Sequence, residues 1–195
     1  MTWRRVVAAF LGALLLTACG EDLLRRTYTL HTGTPRPDPA DLPPFCDDVL
    51  VWDDAWIAFE AEVLRLTNEQ RAAGAMCGAL GYGRAPPLTE EPALTCAARK
   101  HAADMAARDF MAHDNPDGET PWDRIDSAGY RYNQAAENVA GGYGTPADVV
   151  AGWISSQGHC QNVMSFQLSK IGVGFSADDT PVLYSTYWVQ VFADP

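Results

Sequence analysis

Apolar side chains after residue 50 recur at helical spacing. Four of them share one face of a first helix: Trp56, Phe59, Val63 and Leu66. We predict that this helix begins at Asp54 and ends at Gly74, because glycine is the residue most often found just after a helix. Residues 75–88, which are rich in Gly and Pro, are predicted to form a loop.

A second helix is predicted to run to about Phe110. Thr89, Glu90 and Glu91 have the character of an N-terminal cap with favourable negative charge. One face of this helix carries Leu94, Ala98, His101 and Met105. Since the neighbours of His101 on that face are apolar, we expect a packed core histidine there.

Two further helices start with the same sequence device. Thr120 to Asp123 and Thr145 to Asp148 each place Thr at the cap, Pro in the first turn and Asp at the third helical position. They predict helices over 121–128, stopped by Gly129, and over 146–156.

The end of the chain changes to a period of two, which is typical of strands. Strands are predicted near 170–176 and 183–192, with a turn at 178–181. The large aromatics Trp153, Trp188 and Phe192 fall on inward positions and are assigned to the core. The pattern as a whole predicts one α/β domain with helices flanking a small antiparallel sheet.

The first residues predict export. Arg4 and Arg5 precede an apolar run, 6–16, that is too short to span a hydrocarbon core of about 30 Å. The run closes on Leu-Thr-Ala-Cys at 16–19, which resembles the bacterial lipobox. We therefore predict a signal peptide over 1–18 and a lipid on Cys19 that anchors the protein to a membrane. The alternative is ordinary secretory cleavage near Ala18, which would leave a free thiol.

The segment after the predicted anchor differs from the rest of the chain. Gly20 follows Cys19 with no aspartate, a pattern that in Gram-negative lipoproteins indicates the outer membrane, on its periplasmic or surface side. Residues 19–53 are rich in Pro, Thr and Asp, and we interpret them as a tether that includes the solvated His31. The domain proper is predicted to be 54–195.

The chain is acidic, with a formal net charge of −11. Loss of Arg4 and Arg5 with the signal peptide would make it more negative still. A chain with so few basic residues is a poor candidate for binding nucleic acid or anionic lipid, both of which require a basic face. We expect a monomer with a solvated surface.

Four cysteines remain when Cys19 is set aside: Cys46, Cys77, Cys96 and Cys160. An even number in an exported chain predicts two disulfides, for which three connectivities exist. Free buried thiols are the alternative. There is no CxxC pair, which argues against a structural zinc ribbon.

Common enzyme motifs such as HExxH, GxSxG and the P-loop are absent from the sequence. His113, Glu137 and His159 would make a three-ligand divalent metal site with an open position if they met in space. The alternative is that each histidine is a solvated loop residue. Ser156 and His159 lack an orienting acid, so we do not interpret them as a nucleophile and its base.

The order of motifs along 57–193 resembles the CAP superfamily, also called SCP-like, which includes cysteine-rich secretory, antigen 5 and pathogenesis-related 1 proteins. The motifs that carry the likeness are Leu66 to Arg71, Leu94 to Ala106, Phe110 to His113, Gly129-Tyr130, Glu137-Asn138, Trp153, Gly158-His159, Ile171 to Gly174 and Trp188 to Phe192. The resemblance implies a three-layer α-β-α sandwich. It also implies a cleft where two His and two Glu can hold zinc or another divalent ion.

Position by position, the resemblance makes His113 the first histidine, Glu137 the first glutamate and His159 the second histidine. The second glutamate falls on Ser156, which removes a carboxylate and lowers the expected metal affinity. Asn138 is expected to hold the turn beside Glu137, and Tyr143 to rim the cleft.

The resemblance also implies a disulfide pairing. Bacterial relatives carry cysteines just after the first helix and directly after Gly-His, which are Cys77 and Cys160 here. That pair leaves Cys46 with Cys96.

Three functions follow as hypotheses. The first is a non-enzymatic binding module at the cell surface that takes a metal, a small molecule, a lipid or a peptide. The second is a metal-dependent hydrolase, a protease or nuclease, that uses His113, Glu137 and His159. The third is a structural envelope protein in which the domain is only a scaffold.

Overall fold

A computed structural model describes residues 41–195. The predicted signal peptide, the predicted lipidation site Cys19, the tether up to residue 40 and His31 lie outside the described residues. No helix within 41–195 has both the length and the apolar character needed to cross a bilayer.

The described chain contains five α-helices, one 3-10 helix and six strands. The 3-10 helix is Pro44–Val49, and the α-helices are α1 Asp54–Ala73, α2 Pro92–Arg108, α3 Pro121–Ser127, α4 Pro146–Ser155 and α5 Gln157–Met164. The strands are β1 Ala75–Cys77, β2 Leu80–Tyr82, β3 Thr89–Glu90, β4 Gln134–Gly141, β5 Lys170–Ala177 and β6 Thr186–Asp194.

The main sheet has the strand order β3-β5-β6-β4, and β1 and β2 form a separate hairpin. β6 lies at the centre and pairs antiparallel with both β4 and β5, whereas the two-residue β3 runs parallel to the start of β5. Glu137 on β4 is thereby placed opposite Val191, and Asn138 opposite Gln190.

Helices cover both faces of this sheet. Alternate residues of β6 separate the two cores: Tyr187, Val189, Val191 and Ala193 pack with α2 and α3, and Trp188 and Phe192 pack with α1, α4 and α5. This arrangement confirms the predicted α/β class and the three-layer α-β-α sandwich. It also confirms the core assignment of Trp153, Trp188 and Phe192, all of them buried.

α2 lies unusually close to β5 because two residues of that strand lack a side chain. A Cβ on Gly172 would lie 2.0 Å from the carbonyl carbon of Leu94, and one on Gly174 would lie 2.4 Å from that of Ala98. Glycine therefore lets the helix backbone rest on the strand.

Both disulfides have the connectivity that the family resemblance implied. Cys46 is bonded to Cys96 with Cα atoms 5.7 Å apart, and Cys77 is bonded to Cys160 with Cα atoms 5.3 Å apart. The first bond ties the 3-10 helix to α2, so the described part of the predicted tether packs against the domain. The second ties α5 to the β1–β2 hairpin.

Predicted helix starts are confirmed at three caps. Asp53 accepts two backbone N–H groups at the start of α1, Thr120 and Asp123 form a capping box on α3, and Thr145 caps α4. The caps at Thr120 and Thr145 were predicted because their signals are local in the sequence, whereas the cap at Asp53 was not predicted.

The predicted cap at Thr89 is wrong. Thr89 and Glu90 form β3, where the Thr89 N–H donates to Ser169 O and the Glu91 N–H to Ile171 O. Because these backbone groups pair with the β5 region, the helix begins only at Pro92. It ends at Arg108 rather than Phe110 because Asp109 adopts a left-handed conformation with φ 54°.

Other boundaries also differ. The predicted 75–88 loop contains the β1–β2 hairpin, and β6 begins at Thr186 rather than at 183. β4 and α5 were not predicted at all, and α4 ends at Ser155 because Ser156 is extended. His159 therefore lies within a helix, not beyond one.

Candidate functional site

His113 lies in a structured turn between α2 and α3. The Asn115 side chain organises that turn, because its Oδ1 accepts the N–H groups of Asp117 and Glu119, each at 3.0 Å. Gly118 completes the turn with φ 83°, a conformation that favours glycine. The loop thus holds His113 without being part of a helix or strand.

Arg124 links this loop to the sheet. Its guanidinium donates to the carbonyls of Glu119 at 3.1 Å and His113 at 2.8 Å, and to Glu137 Oε2 at 3.0 Å. The Arg124 and Glu137 side chains are only 2% and 1% exposed, so the ion pair is buried. One residue of α3 therefore positions both the backbone of His113 and the carboxylate beneath it.

Glu137 in turn orients the His113 ring. Its Oε1 lies 2.8 Å from His113 Nδ1. A carboxylate paired with Arg124 accepts hydrogen bonds, so Nδ1 carries the proton and the neutral ring has its lone pair on Nε2. Because half of the His113 side chain is exposed, it can meet a ligand from outside while its other edge is held.

The two site histidines have opposite pKa shifts. The hydrogen bond that His113 donates to Glu137 raises the pKa of His113, although burial and the charge of Arg124 oppose it. Burial lowers the pKa of His159, and the charge of His113 lowers it further. The two imidazoles are therefore close enough to interact electrostatically.

His159 lies in the first turn of α5, and Asn138 on β4 holds its backbone. The Asn138 amide donates to the His159 carbonyl at 3.3 Å, and Asn162 donates to Asn138 Oδ1 at 2.9 Å. Asn138 is fully buried and also bonds Gln190 on β6. Asn138 thus supports His159 from within strand β4, and the prediction that it holds a turn is wrong.

Ser156 and Tyr143, the other residues expected at the cleft, share no described hydrogen bond with the side chains of His113, Glu137 or His159. Ser156 is the N-cap residue of α5, but its side chain makes no capping hydrogen bond. Tyr143 is about one-third exposed, at 36%, and its hydroxyl lies over Gly152, where a Cβ would be only 2.5 Å away. Its ring is thus placed on α4.

Direct metal ligation by all three predicted residues does not fit this geometry. No group of three or more His, Cys, Asp or Glu within 41–195 is arranged to hold a metal ion. Both carboxylate oxygens of Glu137 are engaged, one by the cationic Arg124. The His113–Glu137 hydrogen bond does have the form of the carboxylate–histidine pair that commonly supports a zinc ligand through its other ring nitrogen.

His101 is the packed core histidine that the sequence predicted. It is fully buried, and its Nε2–H donates to the Ala112 carbonyl at 2.8 Å. Burial lowers its pKa, which keeps the ring neutral. It shares no hydrogen bond with His113 or Glu137 among those described.

Sequence reasoning missed Arg124. The only signal was its place on the buried face of α3, beside Pro121 and Ile125. A buried arginine is rare unless it is paired, so an arginine on that face indicates a buried acid nearby.

Comparisons with known proteins agree with this fold. The uncharacterized protein YkwD of Bacillus subtilis is 32% identical over 135 residues, which are 69% of this chain and 47% of YkwD. The uncharacterized membrane protein YlbC of the same organism is 26% identical over 123 residues, 63% of this chain and 33% of YlbC. The chain thus spans about half of one relative and a third of the other.

Solved structures share the fold at lower identity. An extracellular SCP-domain protein of Bacillus anthracis superposes with a TM-score of 0.61 at 23% identity, over 74% of this chain and 44% of that one. An outer surface protein of Borrelia burgdorferi gives 0.57 at 18% identity, over 74% and 96%. Residues 64–192 match the family described as CAP, the cysteine-rich secretory protein family. The chain belongs to that family.

Proposed function

We propose that this protein is a binding module of the bacterial cell envelope, in which His113 and His159 take a divalent metal ion or a small ligand. The observation that carries the proposal is the His113–Glu137 hydrogen bond of 2.8 Å, which leaves Nε2 unprotonated in the neutral ring of a half-exposed side chain. The buried Arg124 keeps the carboxylate in place. In this role Glu137 orients a ligand and does not itself bind the metal.

Zinc is the ion to test first, because neutral imidazoles are among its preferred ligands. Two protein ligands are fewer than the three of a typical catalytic site, so we expect weaker binding than in such sites. The lack of a second carboxylate at Ser156 acts in the same direction.

Zinc titration of the exported chain tests the metal site, with Cys19→Ala used to remove the predicted lipid. We expect one zinc per chain, and loss of that binding in the His113→Ala/His159→Ala variant. His31→Ala is the matched control, since His31 lies outside the described domain. Equal zinc affinity in the double variant and the parent would overturn the metal site.

A second candidate function is hydrolysis. The hydrogen bond to Glu137 leaves His113 Nε2 free to hold a metal ion, and this observation favours the metal-dependent hydrolase hypothesis as well. A bound divalent ion would supply an activated water or polarise a carbonyl. The zinc-loaded chain should be incubated with peptides and with nucleic acid. Cleavage that disappears in His113→Ala would favour the enzyme over the binding module.

We propose that the module is held at the membrane by a lipid on Cys19. The motif at 16–19 supports this anchor, and an envelope location agrees with relatives described as extracellular or outer surface proteins. Cells grown with a labelled fatty acid should yield a labelled protein from the wild type and an unlabelled one from Cys19→Ala. Label in both proteins would exclude this anchor, and fractionation of the membranes would test the outer-membrane assignment.

A further inference from the structure

A cavity of about 270 Å³ lies at the edge of the sheet, away from the histidines. β3 pairs only with Lys170 and Ile171, so the rest of β5 has no strand beside it on that edge within the described chain. α1 and α2, which cover opposite faces of the sheet, meet beyond this edge and enclose the cavity with the segment before α1. We call this space the sheet-edge cavity.

The lining of the sheet-edge cavity is mainly apolar. Its walls include Val49, Leu50, Ile57, Leu64, Ile171 and Val173. The 3-10 helix Pro44–Val49 forms part of the wall and is joined to α2 by the Cys46–Cys96 bond and by an ion pair of 2.8 Å between Lys100 and Asp48. The cavity is therefore largely pre-formed, as small-molecule sites usually are.

Acidic residues outnumber basic ones in the cavity lining, which includes Glu60, Glu90 and Arg99. Arg99 donates to both oxygens of Glu60, the shortest contact being 2.6 Å, and also to the Val49 carbonyl at 3.3 Å. In the described part of the chain, no other Lys, Arg or His lines the cavity. An anionic head group would find no free counter-ion there, and burying an unpaired charge is strongly unfavourable.

One polar group of the lining lacks a partner. Thr95 is only 8% exposed, and its hydroxyl is buried without a hydrogen bond to any described residue. Threonine in a helix populates two rotamers, so a turn about χ1 exchanges its methyl and hydroxyl positions. A hydroxyl on a ligand can both donate to and accept from Thr95, which relieves the cost of a buried unpaired group.

We infer that the sheet-edge cavity binds a neutral aliphatic alcohol of about eight carbons. The volume corresponds to about nine groups the size of a water molecule, which an eight-carbon chain with one hydroxyl fills. The apolar walls contact the hydrocarbon part of the ligand, and Thr95 binds its hydroxyl. Because Arg99 is paired with Glu60, no free positive charge remains for a carboxylate.

Calorimetric titration of the exported Cys19→Ala chain with 1-octanol and with octanoate tests this site. We expect saturable binding of one octanol per chain and binding of octanoate at least tenfold weaker. Thr95→Val, which keeps the shape and removes the hydroxyl, should weaken octanol binding about fivefold, the loss of one hydrogen bond. Octanoate binding as tight as octanol binding would overturn the inference.

A second variant separates the cavity from general stability. Ala61 lines the cavity and is exposed on α1, so Ala61→Trp should fill the space while the fold is kept. Ala72→Trp, on an exposed part of the same helix, is the matched control. We expect loss of octanol binding only in Ala61→Trp, with unchanged zinc binding in both. Unaltered octanol binding in Ala61→Trp, or no saturable binding by the parent chain, would refute the site.

Discussion

His113 and His159 share the same side chain, yet the protein holds them in opposite ways. His113 lies on a loop and has its ring fixed from below by a buried carboxylate, which raises its pKa. His159 lies on a helix and is fixed through its backbone, while burial lowers the pKa of its ring. The same side chain therefore has its pKa raised at one position and lowered at the other, according to what holds it.

The two supports also differ in kind. His113 is supported by the Arg124–Glu137 ion pair, whose strength depends on charge and burial. His159 is supported by the disulfide of the next residue, Cys160, and by a network of side-chain amides that includes Asn138 and Asn162. Mutations can remove either support without removing the other, so the contribution of each support can be measured separately.

Removal of the charge on Glu137 should have the largest effect. Glu137→Gln keeps the shape but leaves Arg124 buried without its partner, so we expect the free energy of unfolding to fall by about 3–5 kcal/mol. The pKa of His113 should fall toward that of His159. Urea denaturation measures the first effect, and NMR titration of the imidazole measures the second.

Glu62→Gln is the matched control for that variant. It removes a carboxylate from an exposed ion pair with Arg65, so it should change stability by less than about 1 kcal/mol. If Glu137→Gln is no more destabilising than Glu62→Gln, Arg124 and Glu137 do not form the buried support described above.

Loss of the disulfide below His159 should come next. Cys77→Ala/Cys160→Ala opens a link between residues 83 positions apart, and we expect a loss of about 2–4 kcal/mol. The NMR signals of His159 should shift more than those of His113, because only α5 is tied by this bond. Equal shifts at both histidines would show that the two supports are not independent.

Local signals allowed much of the fold to be predicted. α1 was predicted from its apolar face and α3 from its capping residues, because each of these signals lies within a short stretch of the chain. β4 was not, since Glu137 and Asn138 put polar side chains at inward positions of a buried strand and break its apolar alternation. α5 contains Gly158 and few apolar residues, and it is held by a distant cysteine rather than by its own pattern.

The site was harder to predict than the fold. His113, Glu137 and His159 were grouped by the family resemblance, since their separation in the sequence says nothing about their distance in space. The role of Arg124 depends on α3 approaching β4, which no local pattern reveals. Ordinary periodicity was sufficient for His101, whose environment is set by its own helix.

The pKa shifts predict opposite dependences on pH. His113 has a pKa above its usual 6.5, so its charged pair with Glu137 stabilises the fold below pH 6.5 and is lost as pH rises through the raised pKa. His159 has a lowered pKa, so its stabilising contribution is present above pH 6.5 and is lost as pH falls through the lowered value.

Denaturation of His113→Asn and His159→Gln from pH 5 to pH 9 measures these contributions. The free energy of unfolding of the wild type should exceed that of His113→Asn most at low pH. The difference should be less than about 1 kcal/mol because the His113 side chain is half-exposed. The free energy of unfolding of the wild type should exceed that of His159→Gln most at high pH. The same pH dependence for both variants would contradict the opposite shifts.

The smallest expected effect comes from making the two histidines alike. Ser156→Glu puts a carboxylate at the N-cap of α5, and His159 is its third helical residue, which in a capping box lies beside the cap side chain. The pKa of His159 should rise, and the negative charge at the helix start should stabilise the fold by about 0.3–1 kcal/mol.

Ser155→Glu is the control, since Ser155 ends α4, where a negative charge opposes the helix dipole. If Ser156→Glu raises zinc affinity while Ser155→Glu does not, the missing carboxylate is what limits metal binding. A fall in affinity would mean that a second carboxylate competes for the imidazole instead of supporting it.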